Sequence, residues 1–206
     1  MIGIREPDVV FTDLGLALLG GYFAVRLRRG IGGGAVVMAA LASAAFWGAV
    51  FHALFPARTA TPLGFGVWML VALSIVVVAA ALLWLSLSLL GVSQQLRRIV
   101  VGGYAGACAA LVLFVDESFA TIVRFYGPVL LLVIALATRE ALRTGTAAWR
   151  WVAGGFALSV LAALAQQYRI ALHPAYFDHN AVYHVIQAAA LVLLYVGFVR
   201  LPARVG

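Results

Sequence analysis

Two carboxylates and two imidazoles stand in, or at the rims of, four separate apolar stretches of the chain: Asp13, His52, Asp116 and His184. These are the side-chain types that hold divalent metals and move protons near neutral pH. An ionisable group in a membrane segment costs roughly 2.5–3.5 kcal/mol on insertion scales, so one that persists usually faces the bundle interior with a partner or a task. Asp13 lies about 6 Å inside the start of its apolar run at 1.5 Å per residue. His52 precedes Pro56 by one helical turn, His184 follows the start of its run by one turn, and Asp116 closes another run. All four match in depth within about two turns.

Facing agrees with depth. At 100° per residue Asp13 shares a stripe with Ala17, Gly20 and Ala24, small residues that allow helices to approach closely in lipid. His52 shares its face with Gly48, Ala49 and Ala45, and Asp116 continues the stripe of Gly102, Gly106 and Ala109. Asn180, His184 and Gln187 follow i, i+4, i+7 spacing and form one polar ridge. His179 is about 140° around from His184 and joins that ridge only if the helix start is irregular. Asp178 is placed to cap that helix. Gln166, Gln167 and Arg169 could meet a ligand headgroup, but are read as facing water.

The elements that carry these residues are membrane helices. With 206 residues, 65% hydrophobic and 10% charged, and a mean hydropathy of +1.08, the composition is that of a membrane protein. Apolar runs at 9–25, 33–56, 63–90, 99–115, 118–138, 147–168 and 180–199 each approach the roughly 20 residues that cross a bilayer. They predict an all-α fold, a single domain over 1–206 made of one bundle of seven transmembrane helices. Breaks are expected at Arg28-Arg29-Gly30, Pro56 with Pro62, Gln94 to Arg98, Asp116-Glu117, Arg139 to Thr146, and His173-Pro174.

Arg26, Arg28, Arg29, Arg97, Arg98, Arg139, Arg143, Arg150, Arg200 and Arg204 follow helices 1, 3, 5 and 7, whereas only Arg5, Arg58, Arg124 and Arg169 fall on the other side. Positive charge collects on cytoplasmic loops, so the amino terminus is expected outside and the carboxyl terminus in the cytoplasm. All acids but Glu140 fall on the outer half. The first segment has neither a basic lead nor a small-residue cleavage pattern and reads as a retained helix. The net charge of +7 is this cytoplasmic rim rather than a nucleic-acid footprint. Lysine is absent, which removes a retinal Schiff base, and the single Cys108 cannot form an internal disulfide. Trp47, Trp68, Trp149 and Trp151 fit interfacial belts.

Seven helices with a histidine late in helix 2 (Phe46-Trp47-Gly48-Ala49-Val50-Phe51-His52) and a histidine-containing opening to helix 7 (Asp178-His179-Asn180-Ala181-Val182-Tyr183-His184) resemble the CREST superfamily of alkaline ceramidases and progestin/adipoQ-type receptors. The resemblance implies a zinc-dependent membrane hydrolase of lipid-like amides or esters, with His52 and His184 as metal ligands. Gly48 stands where the pattern has serine, Asn180 where it has the first histidine of a pair, and helix 3 holds no acid. The opening Glu6-Pro7-Asp8-Val9-Val10-Phe11-Thr12-Asp13 resembles that of an uncharacterised bacterial membrane family.

Zinc takes nitrogen and carboxylate ligands at about 2.0–2.2 Å, and a catalytic site keeps three of them with one position open. His52, His184 and either Asp13 or His179 could supply such a set, with Asp116 or Glu117 accepting a proton from bound water. The alternatives are a non-catalytic sensor or partner subunit in which the same residues are structural polar contacts, and a proton-coupled carrier using Asp13 and His52. Partners are membrane lipids and a lipid-like substrate, not nucleic acid, and the oligomeric state is open. The Ala, Val, Leu, Gly and Arg bias suggests a bacterial inner membrane.

Overall fold

The computed structural model describes residues 6–28, 32–55, 60–173 and 176–201. They form seven helices, α1 (Pro7–Leu27), α2 (Gly32–Leu54), α3 (Pro62–Leu89), α4 (Gln94–Phe114), α5 (Phe119–Thr144), α6 (Ala147–Gln167) and α7 (His179–Arg200). All seven are long and apolar enough to cross a membrane. Among the described residues there is no strand, only one antiparallel bridge between His173 and Phe177. Large apolar side chains such as Leu18, Phe114 and Leu142 are exposed around the outside. A continuous apolar exterior of this kind suits lipid rather than water.

Local chemistry sets the helix ends. The hydroxyls of Thr61, Ser93 and Ser118 accept from Gly64 N, Leu96 N and Thr121 N at the starts of α3, α4 and α5. Asp178 Oδ1 accepts from Asn180 N and Ala181 N at 2.8 and 3.0 Å, the predicted cap of α7. Gly145, at φ 67°, ends α5 in the left-handed conformation that glycine adopts without steric cost. Two expected breaks are corrected by these caps. Gln94 to Arg98 are the first turn of α4, and Arg139 to Thr144 the last turns of α5. A polar side chain does not stop a helix; only a cap does. The expected breaks at Arg29-Gly30, Pro56 and Pro174 lie outside the described residues.

Helix contacts close a ring. α1 packs on α2, α2 on α3, α3 on α5, α5 on α6, α6 on α7, and α7 back on α1, while α4 leans on the outside against α3. Close approach in the ring depends on small residues. A Cβ on Gly197 would lie 2.7 Å from Val152 Cγ2 and 2.9 Å from the Val152 backbone N, and one on Gly155 would lie 2.7 Å from Leu194 Cγ. A Cβ on Gly20, on the predicted Asp13 stripe, would lie 3.2 Å from Ala42 Cβ and from Met38 O. The stripe predicted on α4 is corrected: Gly102 and Gly106 have no neighbour within 4 Å of a built Cβ. α4 turns Cys108 and Val112 inward instead.

The ring interior is filled unevenly. Toward the arginine-rich end, called the basic end, Phe23, Leu27, Met38, Val78, Leu82, Val133, Val152, Phe156, Leu194 and Phe198 form one buried apolar core. The acid-rich end is polar and holds open space, described below. Overpacking a tight helix contact costs about 1–3 kcal/mol. Gly197→Leu is therefore expected to lower the thermal unfolding midpoint of the purified protein clearly, whereas Gly102→Leu, on the open face of α4, leaves it nearly unchanged.

Candidate functional site

Ring closure brings the start of α7 against the start of α1. Asp8 Oδ2 accepts from Asp178 N at 3.0 Å. One turn deeper, His184 meets α1 through both ring nitrogens: Nε2 is 3.1 Å from Asp13 Oδ1, and Nδ1 is 3.0 Å from Thr12 Oγ1. Asp13 and His184 are both buried. Gly48 on α2 makes room for the carboxylate, since a Cβ there would lie 2.9 Å from Asp13 Oδ2. The glycine that departs from the family pattern is thus the contact that seats Asp13.

The tautomer of His184 sets the roles in this contact. Thr12 Oγ1 lies 2.8 Å from Asp8 O and 3.0 Å from Val9 O, both acceptors for its single proton. With that proton on a carbonyl, Nδ1–H of His184 donates to Thr12 Oγ1. Nε2 and the Asp13 carboxyl are left with one proton between them, either a neutral imidazole accepting from a protonated acid or an imidazolium donating to a carboxylate. In both states the pair carries one proton and no net charge. That neutrality is what a buried pair in an apolar bundle requires.

The pair lines a partly open cavity of about 350 Å³ within the ring. His52, His179, Asn180, Gln187, Gln166 and Arg169 line it too, as do the apolar Leu41, Phe51, Trp68, Ile75 and Ile122. Asn180 Oδ1 accepts from Gln166 Nε2 at 2.9 Å, and Gln187 Nε2 donates to Ser159 Oγ at 3.1 Å. The predicted ridge of Asn180, His184 and Gln187 is therefore one wall of the cavity. His52 also takes part, with Nδ1 2.5 Å from Glu6 Oε2. Glu6 and Arg169 are the two described non-glycine residues with positive φ, 51° and 53°. Arg169 lines the cavity and Glu6 bonds His52, which lines it, and strained backbone is often held at such sites for a task.

Several sequence expectations change here. Gln166 and Arg169, read as facing water, line the cavity. Asp116 does not line it: Ser118 N and Ser118 Oγ each donate to its carboxylate at 2.9 Å. The Thr121 hydroxyl donates to it as well, so Asp116 braces the start of α5. Those donors, Thr121 first, hold the Asp116 carboxyl below its ordinary value. Glu117 offers its backbone carbonyl to Trp68 Nε1 at 2.7 Å, and Trp68 lines the cavity wall. Trp149 is buried in the core. Asp116 and Glu117 thus do not stand where a water bound at His184 would need a proton acceptor. Thr12, Glu6 and Ser159 are not among the site residues expected from the sequence. Thr12 is one residue from Asp13 and so about 100° around the helix, off the stripe that singled Asp13 out.

The imidazoles that would ligate zinc have other partners in this arrangement. Both nitrogens of His184 are engaged, His52 is turned to Glu6, and His179 Nδ1 lies 3.7 Å from Asp178. Among the described residues no three His, Cys, Asp or Glu groups are grouped closely enough to hold an ion.

The Asp116 brace gives a pH signature. A carboxyl held below its ordinary value of 3.8 contributes stability above that value, and the contribution is lost as pH falls through the depressed one. Asp116→Ala should thus lower the unfolding midpoint by a constant amount from neutral pH down to about pH 5, with the difference shrinking below the ordinary value. Unfolding scans across that range check it.

No curated protein and no solved structure matches the chain. Residues 9–203 match a family of unknown function, DUF6962, and since that match takes in nearly the whole ring, the protein belongs to this family.

Proposed function

We propose that the protein is a membrane-embedded binding protein, a sensor or partner subunit, which takes a small amphipathic molecule into the ring cavity and offers it the proton shared by Asp13 and His184. One observation carries this reading: a cavity of about 350 Å³ has that pair and the Asn180–Gln187 ridge on one wall and Phe51, Ile75 and Ile122 on another. Such a two-faced lining suits a ligand with a polar head and an apolar body. A cavity of about 150 Å³ holds benzene, so this one accommodates on the order of a dozen non-hydrogen atoms. With the arginine-rich loops taken as cytoplasmic, the cavity faces the outer side of the membrane, in our reading a bacterial inner membrane. Beneath it the apolar core of Phe23, Met38, Val133, Phe156 and Phe198 closes the path, which favours a binding pocket over the carrier.

A second reading, hydrolysis of a lipid-like amide or ester at a zinc centre, rests on a different observation. Asp13, His52, His179 and His184 all line the same cavity. Metal analysis of the purified protein separates the two. Stoichiometric zinc, lost in the double variant His52→Ala, His184→Ala, would favour the hydrolase.

4-Butylphenol matches the cavity in size and polarity and serves as a probe. The purified protein in nanodiscs should show saturable binding of it by ligand-observed NMR. Ala45→Phe, which fills the cavity from α2, should weaken binding at least about tenfold, the loss of roughly 1.4 kcal/mol. Binding that is equal in the two proteins, or never saturates, would contradict the pocket.

A further inference from the structure

The basic end holds a second cavity, of about 410 Å³, where the ends of α3, α5, α6 and α7 meet. Its polar lining is Ser88, Glu140, Arg143, Thr144, Thr146 and Arg200. Glu140 is buried and already satisfied. Arg139 Nη2 donates to its Oε1 at 2.9 Å, and Arg143 donates to Oε2 through Nε at 3.0 Å and Nη2 at 2.7 Å. One carboxylate thus faces two arginines, and Arg200 brings a third to the rim. Among the described residues Arg200 is in no ion pair. The local balance is one acid against three guanidinium groups, an excess of positive charge around a walled space.

We infer that this basic-end cavity binds a phosphate group, with Arg143 and Arg200 as its cationic donors. Planar guanidinium forks match phosphate oxygens and form the strongest of the common hydrogen bonds. Arg143 is held in place by Glu140, so its remaining N–H groups need little ordering on binding. Thr144 Oγ1 donates to Glu140 O at 2.7 Å, and its oxygen lies 2.9 Å from Thr146 Oγ1. Thr146 therefore leaves the first turn of α6 without a side-chain cap, and the backbone N–H groups of that turn add donors beside the arginines. Glu140 would repel an anion if it stood alone. Its role here is to anchor Arg139 and Arg143, and its charge sets an upper limit on affinity.

The phosphate could belong to a lipid headgroup at the membrane surface or to a soluble phosphomonoester. The chemistry recognised is the same, and the experiment distinguishes the sources. The full chain in an uncharged detergent is exposed to phosphatidic acid, to diacylglycerol as its phosphate-free counterpart, and to glycerol phosphate. Native mass spectrometry counts bound lipid, and calorimetry follows glycerol phosphate. Phosphatidic acid retained at one per chain, with diacylglycerol lost, assigns a lipid headgroup; saturable glycerol phosphate binding assigns a soluble source.

Two variants with opposite signs test the residues. Arg200→Gln should weaken whichever ligand binds by about tenfold, the low end for a hydrogen bond to a charged group because Arg200 is exposed. Glu140→Gln removes the one acid among the described lining residues while keeping an amide oxygen that can accept from Arg143, and should tighten binding severalfold. Unfolding scans on both variants show that the fold persists. Equal retention of phosphatidic acid and diacylglycerol without glycerol phosphate binding, no effect of Arg200→Gln, or weaker binding in Glu140→Gln would each overturn the assignment.

Discussion

A polar group inside an apolar bundle must find its partner within the protein, and the structure depends on how Asp13 meets that demand. No neighbour on its own helix can neutralise it, so it has to be met from α7, by His184 at 3.1 Å. That contact joins the first membrane helix to the last. Apolar packing between consecutive helices would allow an open arc; the Asp13–His184 pair, with Asp8 bonded to Asp178 N, closes it into a ring. Once closed, the ring turns His52, His179, Asn180 and Gln187 toward a shared interior. Gly48 is the steric condition for this, because any side chain there would compete with the carboxylate for space.

The two ends of the ring solve different problems. At the acidic end, polar groups sit inside the span and are paired through one proton or through amide hydrogen bonds, so charge is kept low where lipid is near. At the basic end, Glu140 keeps its charge because Arg139 and Arg143 surround it. The core between them is one continuous apolar cluster. Each cavity therefore communicates with one side alone, and whatever the ends bind, they bind separately. Any coupling between them would have to pass through helix packing, of which the α6–α7 approach at Gly155 and Gly197 is the closest described.

Much of this was legible in the residues themselves. Seven spans follow from hydropathy and length, because a membrane helix must be long and apolar whatever its neighbours are. Helical phase put Asp13 and the Asn180–His184–Gln187 ridge on interior faces, and Asp178 read correctly as a cap. What could not be read was pairing across the chain. Thr12 and His184 are 172 positions apart, and no periodicity marks a hydroxyl as the partner of a distant ring nitrogen. The glycines of α4 looked like a packing stripe because composition cannot say which side of a helix has a neighbour. Asp116 looked like an inward-facing acid because depth alone does not separate a cavity wall from the brace of a helix start. The zinc chemistry implied by the family resemblance rested on His52 and His184, and here those imidazoles are turned to Glu6 and to Asp13 and Thr12.

The central claim is that Asp13 and His184 hold a single proton between them while Nδ1 of His184 donates to Thr12. Nitrogen-15 NMR of selectively labelled histidine in nanodiscs reads the protonation of each ring nitrogen directly, and Asp13→Asn and Thr12→Val identify the His184 signals. A protonated Nδ1 in the wild-type protein, with an Nε2 resonance that moves on Asp13→Asn, is the predicted result. An Nδ1 that carries no proton, or an Nε2 signal indifferent to Asp13, would contradict it.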